Sequence, residues 1–229
     1  MNVSGRGLLV AIDGPAGAGK STLARRVAAR LGMRYLDTGA LYRAIAFYLH
    51  SREIPPSECP VMEKALEGVT LHISEKGLLL NGTDVGAEIR SPLVDSIVSP
   101  YAALPAVRRR LLAIQREQGK MGGLVADGRD MGTVVFPCAD VKIFLTASDE
   151  VRADRRLLEL QGRGEDICRD EVLKAIRERD RIDSGRASAP LRKAEDAVEI
   201  DTGGLSIEEV EEAILEVIHR RRKEMEARS

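Results

Sequence analysis

Apolar residues recur along the chain with two spacings, which predict strands and helices in alternation. Short continuous apolar runs, typical of strands buried on both faces, occupy residues 8–12, 33–36, 124–126, 141–145 and 197–200. Amphipathic runs with helical spacing lie between or after them, at residues 20–31, 40–49, 106–118, 148–160 and 170–183. Strands that alternate with helices predict an α/β fold, in which a mainly parallel sheet is covered by helices on both faces.

Short polar residues mark the starts of several helices. Thr38 and Ser148 are predicted to cap the helices that follow them, because a side-chain oxygen at that position accepts a free N–H of the first turn. Ser206 and Glu209 have the spacing of a capping box and predict a terminal helix.

One segment, residues 69–85, departs from the alternation of strands and helices. Apolar and polar residues alternate over 69–74, Glu75-Lys76-Gly77 then predicts a turn, and Asn81-Gly82 predicts a second one. We expect a small antiparallel β insertion here. The preceding stretch, SREIPPSECP at residues 51–60, predicts a turn-rich connection.

Composition and charge narrow the class of protein without changing this picture. The 229 residues suit one large domain or one domain with appendages, and a net charge of −1 gives no overall basic field to attract nucleic acid or a membrane. No apolar run has the length of a membrane span, and the N-terminus lacks the pattern of a secretory leader. The 3 cysteines are far apart and indicate free thiols in a reducing compartment. We expect a cytoplasmic protein without nucleic-acid or membrane partners and, because no apolar stripe lacks an intramolecular use, a monomer.

The sequence between the first strand and the first helix, GPAGAGKS, matches the phosphate-binding pattern G-x-x-x-x-G-K-[ST]. Its backbone N–H groups and the helix N-terminus favour phosphate, Lys20 is expected to reach the β- and γ-phosphates, and the Ser21 hydroxyl is expected to bind Mg²⁺. A glycine-rich turn that binds nothing is the alternative, but the buried strand before it and the amphipathic helix after it favour a nucleoside triphosphate. The predicted ATP-binding residues are Gly14, Pro15, Ala16, Gly17, Ala18, Gly19, Lys20, Ser21 and Thr22.

Motifs that the chain lacks argue against two other classes of P-loop protein. No Asn-Lys-x-Asp string is present to read guanine, which argues against a switch GTPase. A motor or DNA-dependent ATPase would usually be longer and carry a basic track. A small-molecule kinase instead needs an acceptor pocket and positive charge around the transferring phosphoryl group, because its catalysis is mainly positioning and charge neutralisation.

Two polar segments follow predicted strands, where open α/β sheets bind ligands. Asp127, Arg129 and Asp130 follow the strand at 124–126; Asp127 is a candidate for the water shell of Mg²⁺, and the other two are candidates to read a substrate. The segment DTGALYR, residues 37–43, is the other candidate. A surface turn and a plain capped helix are the respective alternatives.

A third polar group is predicted on the helix that begins near residue 170. Residues 172, 176, 179, 183 and 186 share a stripe that begins with Val and Ile and ends in Arg-Asp-Arg, which indicates entry into a polar cleft or, alternatively, a solvated ion pair. The arginines at 152, 155, 156 and 163 flank the break Gly162-Arg163-Gly164 and predict a lid; a basic solvated helix face explains some of them equally well.

Five strings in order along the chain closely resemble the bacterial cytidylate kinase family: DGPAGAGKST, LDTGALYR, ADGRDMGTVVFP, VKIFLTAS and RDRIDSGRASAPL. The resemblance covers about residues 8–216, and GRDMGTVVFP is far more specific than the phosphate loop. It implies a P-loop NTPase-type sheet, a monophosphate-binding region with an antiparallel insertion, and a helical lid. The implied organisation is one kinase unit over 1–229, with a core at 1–38, 103–150 and 190–229, a monophosphate-binding region at 39–102 and a lid at 151–189.

The resemblance also implies the reaction and the residues that carry it. The reaction is transfer of the γ-phosphoryl group of ATP to CMP or dCMP with Mg²⁺, in pyrimidine metabolism. Lys20, Arg155 and Arg179 are implied at the transferring phosphoryl group. The implied CMP-binding residues are, for cytosine and its surroundings, Thr38, Ser99, Arg108, Arg129 and Asp130; for the phosphate, Arg43 and Arg129; and for the ribose, Asp183 and Arg186.

The chain departs from the family pattern at three places. Thr38 stands where serine is common, Cys138 where aspartate is frequent, and Ile182 and Ser184 interrupt a stretch that is often richer in arginine. Two other hypotheses stay open at this stage. One is a P-loop kinase for another acceptor, such as UMP, shikimate or dephospho-coenzyme A, and the other is a non-catalytic nucleotide-dependent binding module.

Overall fold

The computed structural model describes residues 7–74 and 77–227. The turn predicted at Glu75 and Lys76 and the N-terminal residues 1–6 lie outside them. Strands follow in the order β1 (Leu9–Asp13), β2 (Arg34–Asp37), β3 (Leu71–Ser74), β4 (Gly77–Leu80), β5 (Thr83–Asp84), β6 (Leu124–Gly128), β7 (Val141–Thr146) and β8 (Val198–Asp201). Helices are α1 (Lys20–Leu31), α2 (Thr38–His50), α3 (Pro60–Glu67), α4 (Pro92–Ala102), α5 (Pro105–Gly119), α6 (Asp149–Gly162), α7 (Arg169–Gly185) and α8 (Ile207–Glu226).

Five strands form the main sheet in the order β2-β6-β1-β7-β8, which confirms the predicted α/β fold. β1 pairs in parallel with β6 and β7, and β7 with β8. All five residues of β1 are buried, as expected for the central strand of a sheet covered on both faces. The register places Asp13 opposite Gly128, so the chain leaves β1 and β6 at the same edge of the sheet.

The hydrophobic core of this sheet explains why α1 and α8 form. Leu23 and Val27 of α1 and Ile214 and Ile218 of α8 pack in one buried cluster with side chains of β1, β6 and β7. Burying each such side chain contributes roughly 1.5–3 kcal/mol relative to leaving it exposed. This packing fixes the N-terminus of α1 and the loop before it, where the phosphate-binding pattern lies.

The chain divides into two compact units. The first contains residues 1–36, 118–185 and 189–229, and with them β1, β6, β7, β8 and helices α1, α6, α7 and α8. The second contains residues 37–117 and 186–188, and with them the three-stranded antiparallel sheet β3-β4-β5. Asn81 and Gly82 both have positive φ, at 49° and 84°, which is the geometry of a two-residue hairpin turn. The predicted β insertion is therefore confirmed.

Two helices of the second unit were not predicted from sequence. α3 and α4 each have a proline in the first turn, Pro60 and Pro92, where proline lacks only an N–H that would have no helical partner. The abundance of proline and serine was interpreted as a turn-rich connection around residues 51–60. The same residues are also the start signal of a helix.

The helix caps confirm two sequence predictions and correct a third. Ser148 accepts the N–H of Val151, and Ser206 forms the predicted capping box. The prediction for Thr38 was wrong: α2 begins at Thr38, and the carboxylate of Asp37 accepts the N–H of Ala40 at 2.9 Å. An ionised carboxylate also interacts favourably with the positive end of the helix dipole, so aspartate suits the capping position.

Helices α6 and α7 pack as a pair through Ala153, Leu160, Val172 and Ile176. Asp183, one of the predicted polar positions of that stripe, is also buried. Because α7 ends at Gly185, the stripe does not extend to Arg186, and that part of the prediction was wrong. Within residues 7–74 and 77–227, no helix combines the length and apolar character needed to span a membrane.

Candidate nucleotide-binding site

The phosphate-binding pattern forms the loop between β1 and α1. The chain leaves β1 at Asp13, residues 14–19 form the loop, and Lys20 begins α1. Gly14 is required by both angle and space: its φ is 151°, and a Cβ there would lie 2.1 Å from the carbonyl oxygen of Leu145. The strand, loop and helix thus have the context that a phosphate-binding loop needs.

Lys20 lies buried at the base of this loop. Its Nζ donates to the carbonyl of Pro15 at 2.6 Å. Burial lowers the pKa of the Lys20 ammonium, the positive charges of Arg129 and Arg179 lower it further, and the carboxylates of Asp127 and Asp13 oppose that change. A polyanion bound beside Lys20 would stabilise the charged form of this buried amine.

Asp127, the fourth residue of β6, receives one hydrogen bond from helix α1 and one from strand β2. Ser21 Oγ donates to its Oδ2 at 2.8 Å, and the Tyr35 hydroxyl donates to its Oδ1 at 2.8 Å. The carboxylate is buried. A carboxylate and a hydroxyl are the hard oxygen groups that suit Mg²⁺ near phosphates. Among residues 7–74 and 77–227, no group of three or more His, Cys, Asp and Glu side chains forms a protein-only metal site.

A second buried carboxylate, Asp13, holds the segment that follows β6. It accepts the N–H of Met131 at 2.8 Å and the N–H of Gly132 at 2.7 Å. Burial raises the pKa of Asp13 from 3.8 to about 6, although the two N–H groups act in the opposite direction. Met131 begins a short π-helical turn immediately after Asp130, so Asp13 fixes the backbone beside a predicted substrate residue.

Arg129, Asp130 and Asp183 lie in the same unit as the phosphate loop. Arg129 Nε donates to Asp183 Oδ2 at 2.9 Å, and the side chain of Asp183 is buried. The charge of Asp130 raises the pKa of Asp13, and that of Arg129 lowers the pKa of Lys20, so both residues act electrostatically on the two side chains that flank the loop. The structure therefore brings these predicted substrate residues to the edge of the sheet where Lys20 lies.

The two arginines predicted at the transferring phosphoryl group differ in their surroundings. Arg179 acts on Lys20 directly, since its charge lowers the pKa of that amine. Arg155 instead donates to the hydroxyl of Thr202 at 2.8 Å and to the Thr202 carbonyl at 2.5 Å, in the loop after β8. The role of Arg155 at the phosphoryl group stays a prediction.

The remaining predicted acceptor residues lie in the second unit. Thr38 begins α2 and is buried, and Arg43 forms an ion pair with Asp95 of α4. Ser99 lies one helical turn after Asp95 and is buried. Arg108 and Arg186 are also buried. The guanidinium carbon of Arg108 lies 5.2 Å from the centre of the Tyr42 ring.

Several polar residues around these sites were missed by sequence reasoning. Asp13 is the last residue of β1, a strand that is buried throughout, and a carboxylate at the end of such an apolar run was a signal that could have been used. Arg90 forms an ion pair with Asp37. The residue before it, Ile89, has a carbonyl that accepts a hydrogen bond from Arg43 at 3.4 Å. Tyr35 gave no signal, because a tyrosine within a short strand is usually a packing residue.

Comparison with known proteins assigns the chain to a family. The model of the cytidylate kinase family matches residues 10–220. A cytidylate kinase of Fervidobacterium nodosum is 50% identical over 212 residues, which cover 93% of this chain and 96% of that protein. A bifunctional pantoate ligase/cytidylate kinase of Synechococcus elongatus is 47% identical over 96% of this chain, which spans 44% of that longer protein.

The fold is also shared with a distant solved structure. A gluconokinase of Sinorhizobium meliloti superimposes with a TM-score of 0.53 at 15% sequence identity, over 98% of each chain. At that identity the likeness concerns the fold alone, whereas the family match and the identity to the Fervidobacterium protein extend over almost the whole sequence. The chain belongs to the cytidylate kinase family.

Proposed function

We propose that this protein transfers the γ-phosphoryl group of ATP to CMP or dCMP and releases ADP with CDP or dCDP. The observation that carries the proposal is 50% identity to a cytidylate kinase over 93% of the chain. The chain spans 44% of the Synechococcus protein, and the pantoate ligase activity in that protein's name is a statement about that protein alone.

The donor, ATP, is bound by residues 14–19 and the first turn of α1. The loop N–H groups and the helix N-terminus stabilise the phosphate oxygens. Lys20 exchanges its hydrogen bond to Pro15 for the β- and γ-phosphates, which compensates a buried cation with negative charge. Ser21 and Thr22 complete the donor site.

The oxygens of Ser21 and Asp127 fit Mg²⁺, with Ser21 as a direct ligand and Asp127 acting through a water. When bound, the ion would neutralise charge on the phosphate oxygens. Tyr35 keeps the Asp127 carboxylate oriented by donating to its second oxygen.

The acceptor, CMP, is read by hydrogen bonds rather than by stacking. Cytosine offers an amine donor together with a ring nitrogen and a carbonyl that accept, and only 3% of the residues are aromatic. Hydrogen-bond recognition discriminates strongly, because a wrong base leaves buried polar groups without partners. The residues proposed for the base are Thr38, Ser99, Arg108, Arg129 and Asp130; for the phosphate Arg43 and Arg129; and for the ribose Asp183 and Arg186.

The transfer itself needs positive charge more than a general base. The CMP phosphate is already an anionic nucleophile, so no side chain has to remove a proton from it. Lys20, Arg155 and Arg179 are proposed to neutralise the charge on the transferring phosphoryl group. This explains why the donor site has a buried lysine and arginines around it.

Turnover with a panel of acceptors tests the proposal. ADP release would be measured with ATP, Mg²⁺ and each of CMP, dCMP, UMP, AMP, GMP, shikimate and dephospho-coenzyme A. The highest kcat/KM is expected for CMP or dCMP. Highest kcat/KM with any other compound would refute the substrate assignment, and ATP binding without turnover of any acceptor would indicate a binding module.

We also propose that the enzyme acts as a monomer in the cytoplasm, in pyrimidine nucleotide metabolism, without nucleic-acid or membrane partners. The near balance of 35 basic and 36 acidic residues supports the absence of a general affinity for polyanions. Light scattering after size exclusion should give a mass close to 25.0 kDa, and a mass of twice that value would refute the monomer.

A further inference from the structure

Arg152, in the first turn of α6, has its guanidinium surrounded by protein acceptors. Its side chain is only 4% exposed. Nε donates to the carbonyl of Ala147 at 3.0 Å, and Nη1 donates to the carbonyl of Ala16 at 3.0 Å. Nη1 also lies 2.6 Å from Oδ2 of Asp180, and Nη2 forms an ion pair with Asp149. The sequence placed Arg152 among the candidates for a lid over the triphosphate, but these contacts occupy most of its donors.

The four acceptors belong to four different parts of the nucleotide-binding unit. Ala147 follows β7, Ala16 lies in the phosphate loop, Asp149 begins α6, and Asp180 lies on α7. The planar fork of an arginine is suited to several acceptors at once, whereas a lysine has a single compact charge. One buried side chain thus connects the phosphate loop to α7.

A separate packing contact ties the loop to the same helical turn. A Cβ on Gly17 would lie 3.1 Å from Cβ of Arg152 and 3.2 Å from its carbonyl oxygen. The loop backbone at Gly17 therefore lies directly on Arg152. The phosphate loop and the first turn of α6 are therefore packed together at this point.

The helix at the other end of this connection carries two residues of the proposed site. Asp180 follows Arg179, whose charge acts on Lys20. One turn further along α7, Asp183 pairs with Arg129 at 2.9 Å. Asp180 therefore lies beside Arg179 and one turn before Asp183 on the same helix.

We propose that Arg152 is a positioning residue that couples the conformation of the phosphate loop to α7, so that donor binding determines the placement of Arg179 and Asp183. The proposal rests on the function proposed above. It adds a structural connection from the phosphate loop to the residues proposed near the transferring phosphoryl group. In this proposal Arg152 contacts no substrate. It acts only through Ala16 and Asp180.

Two variants test the coupling and a third is a matched control. Asp180→Asn keeps the shape of the acceptor but removes its charge, and Arg152→Lys keeps the charge but cannot reach four acceptors. The control is Asp154→Asn: Asp154 also joins α6 to α7, through Arg169 at 2.6 Å, but that pair is exposed and does not contact the phosphate loop. If Arg152→Lys does not fold, Asp180→Asn still carries the test.

Hydrogen exchange of α7 with and without the ATP analogue AMPPNP and Mg²⁺ reports the coupling without any acceptor. Slower exchange across α7 on adding the analogue is expected in the wild type and in Asp154→Asn. The two test variants should lose most of that change. In turnover they should lose about 10- to 100-fold in kcat with less than about a threefold change in KM for ATP, because small misplacements of reacting groups are costly.

The proposal is overturned if Asp180→Asn keeps both its kcat and the analogue-induced protection of α7. It is also overturned if Asp154→Asn loses as much as the test variants, since the effect would then come from any α6–α7 ion pair. Failure of the wild type to phosphorylate CMP would instead count against the proposed function, and the exchange experiment would still decide the coupling.

Discussion

Asp13 should make the stability of the protein depend on pH in a way that an asparagine cannot. Its pKa is raised from 3.8 to about 6 in the folded state, mainly by burial. A raised folded pKa means a contribution to stability that is fully present below pH 3.8 and is lost as the pH rises through about 6. The whole contribution corresponds to about 3 kcal/mol. As the pH falls from 7.5 to 5, the contribution of Asp13 to the free energy of unfolding rises by about 1 kcal/mol.

The assay is urea unfolding of the wild type and Asp13→Asn at pH 5 and pH 7.5. Other carboxylates titrate in both proteins, so only the difference between the two free energies of unfolding is informative. That difference should favour the wild type by about 1 kcal/mol more at pH 5 than at pH 7.5. Asp130 and Lys20 are the charged neighbours of Asp13, with opposite effects on its pKa, and neither changes in the variant.

Unfolding is a better readout than turnover, because the phosphate monoester of CMP titrates near the same pH. The asparagine amide also places a donor against one of the N–H groups of Met131 and Gly132, which lowers stability at both pH values equally. A difference that is independent of pH would refute the raised pKa. A difference that grows toward pH 7.5 would show that the hydrogen bonds outweigh burial.

Three further predictions concern the proposed donor and acceptor sites. Lys20→Ala should lower kcat by about a hundredfold or more with an unchanged circular dichroism spectrum, and near-normal turnover would contradict its phosphate role. Asp130→Ala should raise KM for CMP about tenfold or more while KM for ATP changes little; equal changes would mean that Asp130 does not read the acceptor. Tyr35→Phe removes one hydrogen bond to Asp127 and should weaken Mg²⁺ binding in the presence of AMPPNP by a few-fold, measured by titration calorimetry. Unchanged Mg²⁺ affinity would show that Tyr35 does not orient Asp127.

The parts of the fold that sequence predicted are those with strong local signals. The buried strand before Gly14, the amphipathic helix after it and the Asn81-Gly82 hairpin each follow from a few neighbouring residues. The failures occurred where two local signals compete. The stretch around Pro60 was interpreted as a turn-rich connection although a proline also suits the first turn of a helix. Thr38 was preferred over Asp37 as the helix cap although both residue types suit that position.

The contacts that build the donor site depend on strand order, which the periodicity of the sequence does not contain. β6 lies between β2 and β1, although almost ninety residues separate it from β2 along the chain. Only this order lets the Asp127 carboxylate receive Tyr35 from one side and Ser21 from the other. It also places Asp13 beside the segment after β6, where its two oxygens accept Met131 and Gly132. The sequence identified Asp127 from its position at the end of a strand, but the residues that hold it in place follow from the topology.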